Sequence, residues 1–171
     1  ENLKFQSLLV FSDPIRLEVI DAVKSANQSG IKVLMITGDY KDTAKFIARK
    51  SGIYNEGDFV IDGDEIDSYE SKLDKVSVIA RAAPLDKLKL IEIFQKWKRV
   101  VAMTGDGVND APALTRSDIG IAMGRTGTDA ARESADMVLM DDNFATITAG
   151  IEEARVVFEN IRKVTTYLIS T

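Results

Sequence analysis

The chain has 171 residues, 45% apolar and 29% charged, which is one domain's length with material for a full hydrophobic core. A formal net charge of -5 and the lack of a basic stripe argue against nucleic acid as a partner. With no cysteine and no histidine, disulfides, thiolate metal sites and an imidazole base are excluded. Chemistry must then run on carboxylates, lysine, threonine and a hard cation.

Residues 8–11 read as a short apolar strand closed by Ser12-Asp13-Pro14. Ile15, Val19, Ala22, Val23 and Ala26 follow helical spacing, and Gly30 supplies the stop. Residues 33–36 predict a second strand, ending in Thr37-Gly38-Asp39, and 42–51 predict a helix that stops at Gly52. Over 59–66, Asp62-Gly63 between β-formers reads as a hairpin turn. Its acids, Asp58, Asp62, Asp64, Glu65 and Asp67, fit a solvated turn better than a calcium loop, because the glycine is misplaced for one. Residues 76–80 predict a third strand, followed by Arg81-Ala82-Ala83. Pro84 suits the first position of a helix running to about Lys98.

The stretch over 100–114 carries the densest chemistry. Its four leading apolar residues read as a buried central strand that breaks at Thr104-Gly105 into a loop with Asp106, Asn109 and Asp110. A strand ending in glycines and carboxylates is where an open parallel sheet places its ligand. Asp106 and Asp110 offer hard oxygens suited to a magnesium ion that keeps waters and shares a phosphate. Gly105 and Gly107 let the backbone approach such a ligand. The plain alternative is a solvated turn, since these are ordinary turn residues.

A short helix at 111–116, a strand at 119–122, a helix at 128–134 and a strand at 137–140 continue the alternation. The expected fold is therefore α/β, a doubly wound parallel sheet with helices on both faces. Residues 145–169 break the pattern as one long helical stretch, either packed on the sheet edge or projecting from the domain. Glu152, Glu153, Arg155, Arg162 and Lys163 make it too polar to cross a membrane. No other run reaches the roughly 18 apolar residues of a span, and no signal peptide is expected.

In such a sheet the strand ends converge on one crevice, bringing together Thr37-Gly38-Asp39, Lys87 and the Asp106/Asp110 loop. A phosphoryl group needs this set. A hydroxyl and a backbone N–H hold its oxygens, an ammonium neutralises its charge, and carboxylates hold magnesium. Singly, Lys87 reads as a surface lysine and Thr37 as a turn residue. Their joint occurrence after successive strands is what singles them out.

The strings Met35-Ile36-Thr37-Gly38-Asp39, Ala83-Pro84-Leu85-Asp86-Lys87 and the long, specific run over 103–114 resemble the phosphorylation-domain motifs of P-type cation-transporting ATPases, within the haloacid dehalogenase superfamily. The resemblance extends over essentially the whole chain, through Asp13-Pro14-Ile15-Arg16, 119–124, 135–143 and the final helix. Asp141-Asp142-Asn143-Phe144 and that helix are most like the calcium and sodium/potassium branch. The match Gly124-Arg125-Thr126-Gly127 carries little as a nucleotide fingerprint.

In that family an aspartate accepts the γ-phosphoryl of ATP, and the aspartyl-phosphate is then hydrolysed to drive ion transport. By resemblance, Thr37 and Gly38 bind the phosphoryl group and Lys87 neutralises it. Asp106 ligates Mg2+, and Asn109 and Asp110 complete the phosphate and metal shell. Asp39, Arg16 and Arg81 lie near the nucleotide. Residues 1–143 then form the C-terminal part of a phosphorylation domain, and 144–171 a stalk-like helix leading toward a membrane segment. The partners implied are the other half of that domain with the nucleotide-binding and actuator domains. The implied setting is the cytoplasmic portion of an integral membrane protein, the fragment itself being soluble. Alternatives are a free-standing phosphatase of the same superfamily and a non-catalytic Mg2+/phosphate-binding module.

One departure is concrete. The family nucleophile lies in Asp-Lys-Thr-Gly-Thr after an apolar strand, and no such string occurs here. A sheet without that central strand keeps two long unpaired edges, which predicts a chain that is sticky, domain-swapped or supported by another chain, or, if ordered alone, a sheet rearranged to close the gap.

Overall fold

The computed structural model describes residues 4–7, 9 and 14–170. The strand expected over 8–11 falls, apart from Leu9, outside the described residues, as does Asp13. Among the described residues the strands form two separate parallel sheets of three. In the first, β1 (Met35–Ile36) and β2 (Phe59–Asp62) flank β3 (Val76–Ala80), with Met35 opposite Val78 and Ile61 opposite Ile79. In the second, β4 (Ala102–Gly105) and β6 (Met137–Leu139) flank β5 (Ile119–Met123), with Gly105 opposite Ala122.

Burial follows from this layout. Every residue of β3 is buried, as a parallel strand covered on both faces requires, and Ser77 is satisfied by donating to the Asp58 carboxylate at 2.6 Å. Helix α1 (Glu18–Gln28) buries Ala22, Val23 and Ala26, and α2 (Lys41–Lys50) lays Ala44 and Ala48 on Val78 and Ala80. Gly30, at φ +75°, ends α1, and the Ile31 N–H returns to the Ala26 carbonyl at 2.9 Å. In the second half, α5 (Ala111–Arg116) and α6 (Asp129–Glu133) cover β4 and β5 with Ala113, Leu114 and Ala131.

Helix α4 (Pro84–Lys96) joins the halves. Leu90 and Ile93 pack with Ile61, Val76 and Ile79, while Ile91 packs with Met103, Leu114 and Ala122. Three such burials contribute about 1.5–3 kcal/mol each. Between the sheets lies a cavity of about 210 Å³, several times the ~30 Å³ share of one water. Its walls include Val33, Leu34 and Ile36 on one side and residues 101–104 on the other. Leu90 and Phe94 of α4 close one face, and Phe144, Ile147 and Ile151 of α7 (Phe144–Ile169) line it too. The gap is therefore kept, not closed by rearrangement.

Three expectations change. The run at 100–103 is no buried central strand, because β4 is an edge of its sheet and leaves Val100 and Ala102 exposed. Residues 59–66 are no hairpin: β2 runs parallel to β3 and passes into short helical turns, Gly63–Glu65, α3 (Ile66–Tyr69) and Glu70–Lys75. The Glu65 carboxylate accepts the Asp62 N–H at 2.8 Å, and Gly63 is needed because a Cβ there would sit 2.3 Å from Asp86 Oδ2. Crowding, not a positive φ, selects that glycine. Helix α7 combines both of its alternatives. Its first turns pack on α1 and line the cavity, whereas residues 152–170 are exposed. Among the described residues no helix is long and apolar enough to cross a membrane.

Candidate functional site

The C-terminal ends of β1, β3 and β4 carry the candidate residues. Thr37 leaves β1 with its N–H on the Ile79 carbonyl (2.9 Å) and its carbonyl on the Ala82 N–H (3.0 Å). The Thr37 hydroxyl accepts the Asp39 N–H at 3.1 Å, which leaves its own proton free to donate. Gly38 between them is exposed, and a Cβ there would meet open space. The Asp39 carbonyl accepts the Arg81 N–H at 2.9 Å. Arg81, at φ +48°, places its guanidinium 5.9 Å from the Tyr40 ring centre, so Arg81 and Asp39 share one rim.

Lys87 lies on the first turn of α4, just past Pro84. There Asp86 accepts the Ala83 N–H at 2.7 Å and fixes the helix start. The Lys87 ammonium forms an ion pair with Asp110 Oδ1, their side chains being 21% and 9% exposed. Asp110 Oδ2 accepts the N–H groups of Asp106 (3.2 Å) and Gly107 (3.1 Å). Burial opposes ionisation of Asp110, but Lys87 and these N–H donors outweigh it and hold its carboxyl below the ordinary value. Gly105 makes this possible, since a Cβ there would sit 2.5 Å from Asp110 Cβ. Gly105 thus admits a side chain of the chain itself rather than a ligand, and at Gly107 a Cβ would make only ordinary contact, 3.6 Å from Asp110 Oδ2.

Asp106 and Asn109 point the other way in chemical terms. Both are exposed, and neither side chain has a hydrogen bond or ion pair among the described residues. The loop thus pairs one spent carboxylate with one available carboxylate.

A haloacid dehalogenase-like hydrolase family profile matches residues 3–118, more than half of the chain. The chain belongs to this family. It is 47% identical over 163 residues to the Lactococcus lactis calcium-transporting ATPase 1, covering 92% of this chain and 18% of that protein. It is 41% identical over 202 residues to the rat sodium/potassium-transporting ATPase subunit alpha-4, covering all of this chain and 20% of that protein. A crystal structure of a zinc-transporting PIB-type ATPase in the E2.Pi state superposes with a TM-score of 0.68 and 32% identity, over 88% of this chain and 21% of that one. The chain spans about a fifth of the length of the relatives it matches.

Within this haloacid dehalogenase-like frame, Thr37 and Asp39 are linked by backbone bonds to Ala82 and Arg81 just before α4, and Lys87 on α4 reaches Asp110. Arg16 is not brought to that rim; its guanidinium donates to the Asp142 carbonyl at 2.9 Å, at the base of α7. Magnesium fits the donor set in a limited way. Asp106 offers a free carboxylate beside the Asn109 amide, all hard oxygens. Among the described residues no three acidic side chains cluster as a metal cage, so further oxygens would come from water and phosphate.

Sequence reasoning missed the support behind Asp106. Thr128 donates its N–H to the Asp106 carbonyl at 2.8 Å, and Arg132 holds the Gly124 and Gly127 carbonyls. The Gly124-Arg125-Thr126-Gly127 string was the available signal. Its N–H groups serve a carboxylate of the chain itself, Asp142.

Proposed function

We propose that the chain is the C-terminal part of the phosphorylation domain of an ATP-driven cation pump, residues 1–143, with 144–171 as its stalk. It works by receiving a strand that carries the nucleophilic aspartate. One observation carries the reading: β1 and β4, edges without a further strand partner among the described residues, face one apolar cavity, and their C-terminal ends bear Thr37, Gly38 and Asp106. A parallel strand in that slot would deliver its own C-terminal end beside those residues.

In the assembled site a carboxylate oxygen of the incoming aspartate attacks the γ-phosphorus of ATP, and the bond to the ADP oxygen breaks. Water then attacks the same phosphorus, returning carboxylate and inorganic phosphate. The Thr37 hydroxyl and Gly38 N–H hold the phosphoryl oxygens, and Lys87 places a cation beside them. Asp106, with Asn109 beside it, would hold magnesium, which supplies positive charge against the phosphoryl oxygens. Asp110 orients Lys87 and the 105–107 backbone. Arg81 and Asp39 form the rim toward the nucleotide. The nucleotide-binding and actuator domains are the partners this reading requires, with a membrane reached only through the whole pump.

Two tests follow. Without the nucleophile the chain has no group to form the covalent intermediate. Steady ATPase activity of the 171-residue chain, lost in Asp106→Ala, would refute the reading. The positive test is calorimetric titration with magnesium and beryllium fluoride, with and without a peptide bearing an apolar strand and Asp-Lys-Thr-Gly-Thr. A signal that needs both peptide and Lys87 supports the pump reading. Lysine-dependent binding by the chain alone supports an independent phosphate-binding module instead.

A further inference from the structure

The Asp142 carboxylate accepts three successive backbone N–H groups, Gly124 at 2.7 Å, Arg125 at 2.9 Å and Thr126 at 2.8 Å. Such a concave run of N–H donors ordinarily cradles an anion, and here a side chain 16 or more residues away supplies it. Asp142 adopts φ +52°, a left-handed conformation that a non-glycine residue takes at some cost, so the surrounding contacts hold it there. Its carbonyl accepts from Arg16, and the next residue, Asn143, caps α7 by accepting the Ala145 N–H at 3.0 Å. On the far side of the loop, Gly124 and Gly127 are packed so closely that a Cβ would lie 2.7 Å from the Leu139 carbonyl and 2.0 Å from the Met123 carbonyl. The loop therefore has no slack. Its next residue, Thr128, donates to the Asp106 carbonyl.

We propose that Asp142 is a positioning residue for Asp106: by filling the 124–126 cradle it sets Thr128 against the Asp106 carbonyl and ties that aspartate to the base of α7. The role in metal binding rests on the reading of Asp106 as a magnesium ligand, but the tie itself does not. Displacing Asp142 frees the loop, and the Asp106 backbone loses one of its fixed points. In the other direction, a ligand that draws Asp106 forward pulls on the first turn of the long helix through these same bonds.

The test uses the isotope-labelled chain and backbone amide NMR, first without metal. Asp142→Asn tolerates the left-handed backbone but has only one acceptor oxygen, and Asp142→Gly removes the acceptor entirely while relaxing the backbone. The Arg125 and Thr126 amides should lose protection in both, whereas Gly124 keeps its second acceptor, the Leu139 carbonyl at 2.9 Å. The Thr128 and Asp106 amides should shift, with exchange at Thr128 faster by about fivefold, as loss of one neutral backbone hydrogen bond implies. Unchanged Asp106 and Thr128 amides alongside deprotected Arg125 and Thr126 amides would overturn the proposal.

Amides of Val76–Ala80 report whether the variant is folded. If it is not, Thr128→Pro decides, because φ −71° at Thr128 suits proline and the change removes the N–H that reaches Asp106. Thr128→Val is its control, losing the hydroxyl that caps α6 but keeping that N–H. Asp106 must then shift in the proline variant and not in the valine one; the reverse, or no shift in either, overturns the proposal. Magnesium titration forms a separate arm. In the wild type the shift at Asp106 should extend to Ala145 and Thr146, and in Asp142→Gly it should stop at the loop. No magnesium shift at Asp106 in the wild type sinks the metal reading, while the metal-free arm still decides the tie.

Discussion

Lys87 and Asp110 meet at the junction of the two halves, one on the helix that spans both sheets and the other where the β4 loop turns into α5. Asp110 has no spare oxygen beyond Lys87 and two backbone N–H groups, so removing the lysine strands a buried charge. Lys87→Ala should lower stability by about 3–5 kcal/mol, read from urea unfolding. Lys87→Ala combined with Asp110→Asn should cost less than the sum of the two single changes. Strict additivity would show that the pair is not coupled.

The same carboxyl sets a pH dependence. Its folded value is depressed, so its contribution is fully present above the unfolded value of about 3.9 and is lost as pH falls through the lower folded value. Urea midpoints of the wild type and Asp110→Asn should differ by a constant amount above about pH 5 and converge below about pH 4. A gap that instead narrows between pH 6 and 8 would assign the effect to another group.

Gly105 and Gly38 separate packing from binding. Gly105→Ala drives a Cβ to 2.5 Å from Asp110 Cβ and should cost about 1–3 kcal/mol by displacing that carboxylate. At Gly38 a Cβ would meet nothing within 4 Å, so Gly38→Ala should melt like the wild type. With the strand peptide present, it should nonetheless weaken binding of the phosphoryl mimic. Equal thermal losses in the two variants would contradict this division.

The open slot has its own signature in hydrogen exchange. Half of the amides of Met35–Ile36 and Ala102–Gly105 face away from their sheet partners and should exchange fast, while those of β3 stay protected. Adding the strand peptide should slow the edge amides and leave β3 unchanged. Protected edges in the free chain at low concentration would mean that the gap closes in solution.

Local chemistry was legible where one force decides. Residues 76–80 form a wholly buried strand and 111–116 a short helix, so these two elements come out with the expected bounds. The convergence of Lys87 on the Asp106/Asp110 loop was equally readable, because parallel strands put their C-terminal ends on one side. Long-range crowding was not. Gly63 looks like a turn glycine but yields to Asp86, and Gly105 looks like a ligand contact but yields to Asp110. Arg16 was assigned to the nucleotide rim by its motif, whereas its reach to Asp142 depends on how α1 packs on α7. Asp142 itself sits in the Asp141-Asp142-Asn143-Phe144 string, read from the sequence only for its family resemblance, and only the fold reveals that its carboxylate has three N–H donors.

The division into two sheets also orders events in time. Every strand pairing of the first sheet lies within residues 35–80, and every pairing of the second within 102–139. Each half therefore closes its own loops and has no need to wait for the other. The long-range step is the packing of α7 on α1, with α4 seated across both sheets, and a strand entering between β1 and β4 would come last, as a keystone set between finished walls. The nucleophile would then arrive in a site whose lysine, threonine and carboxylates are already in place.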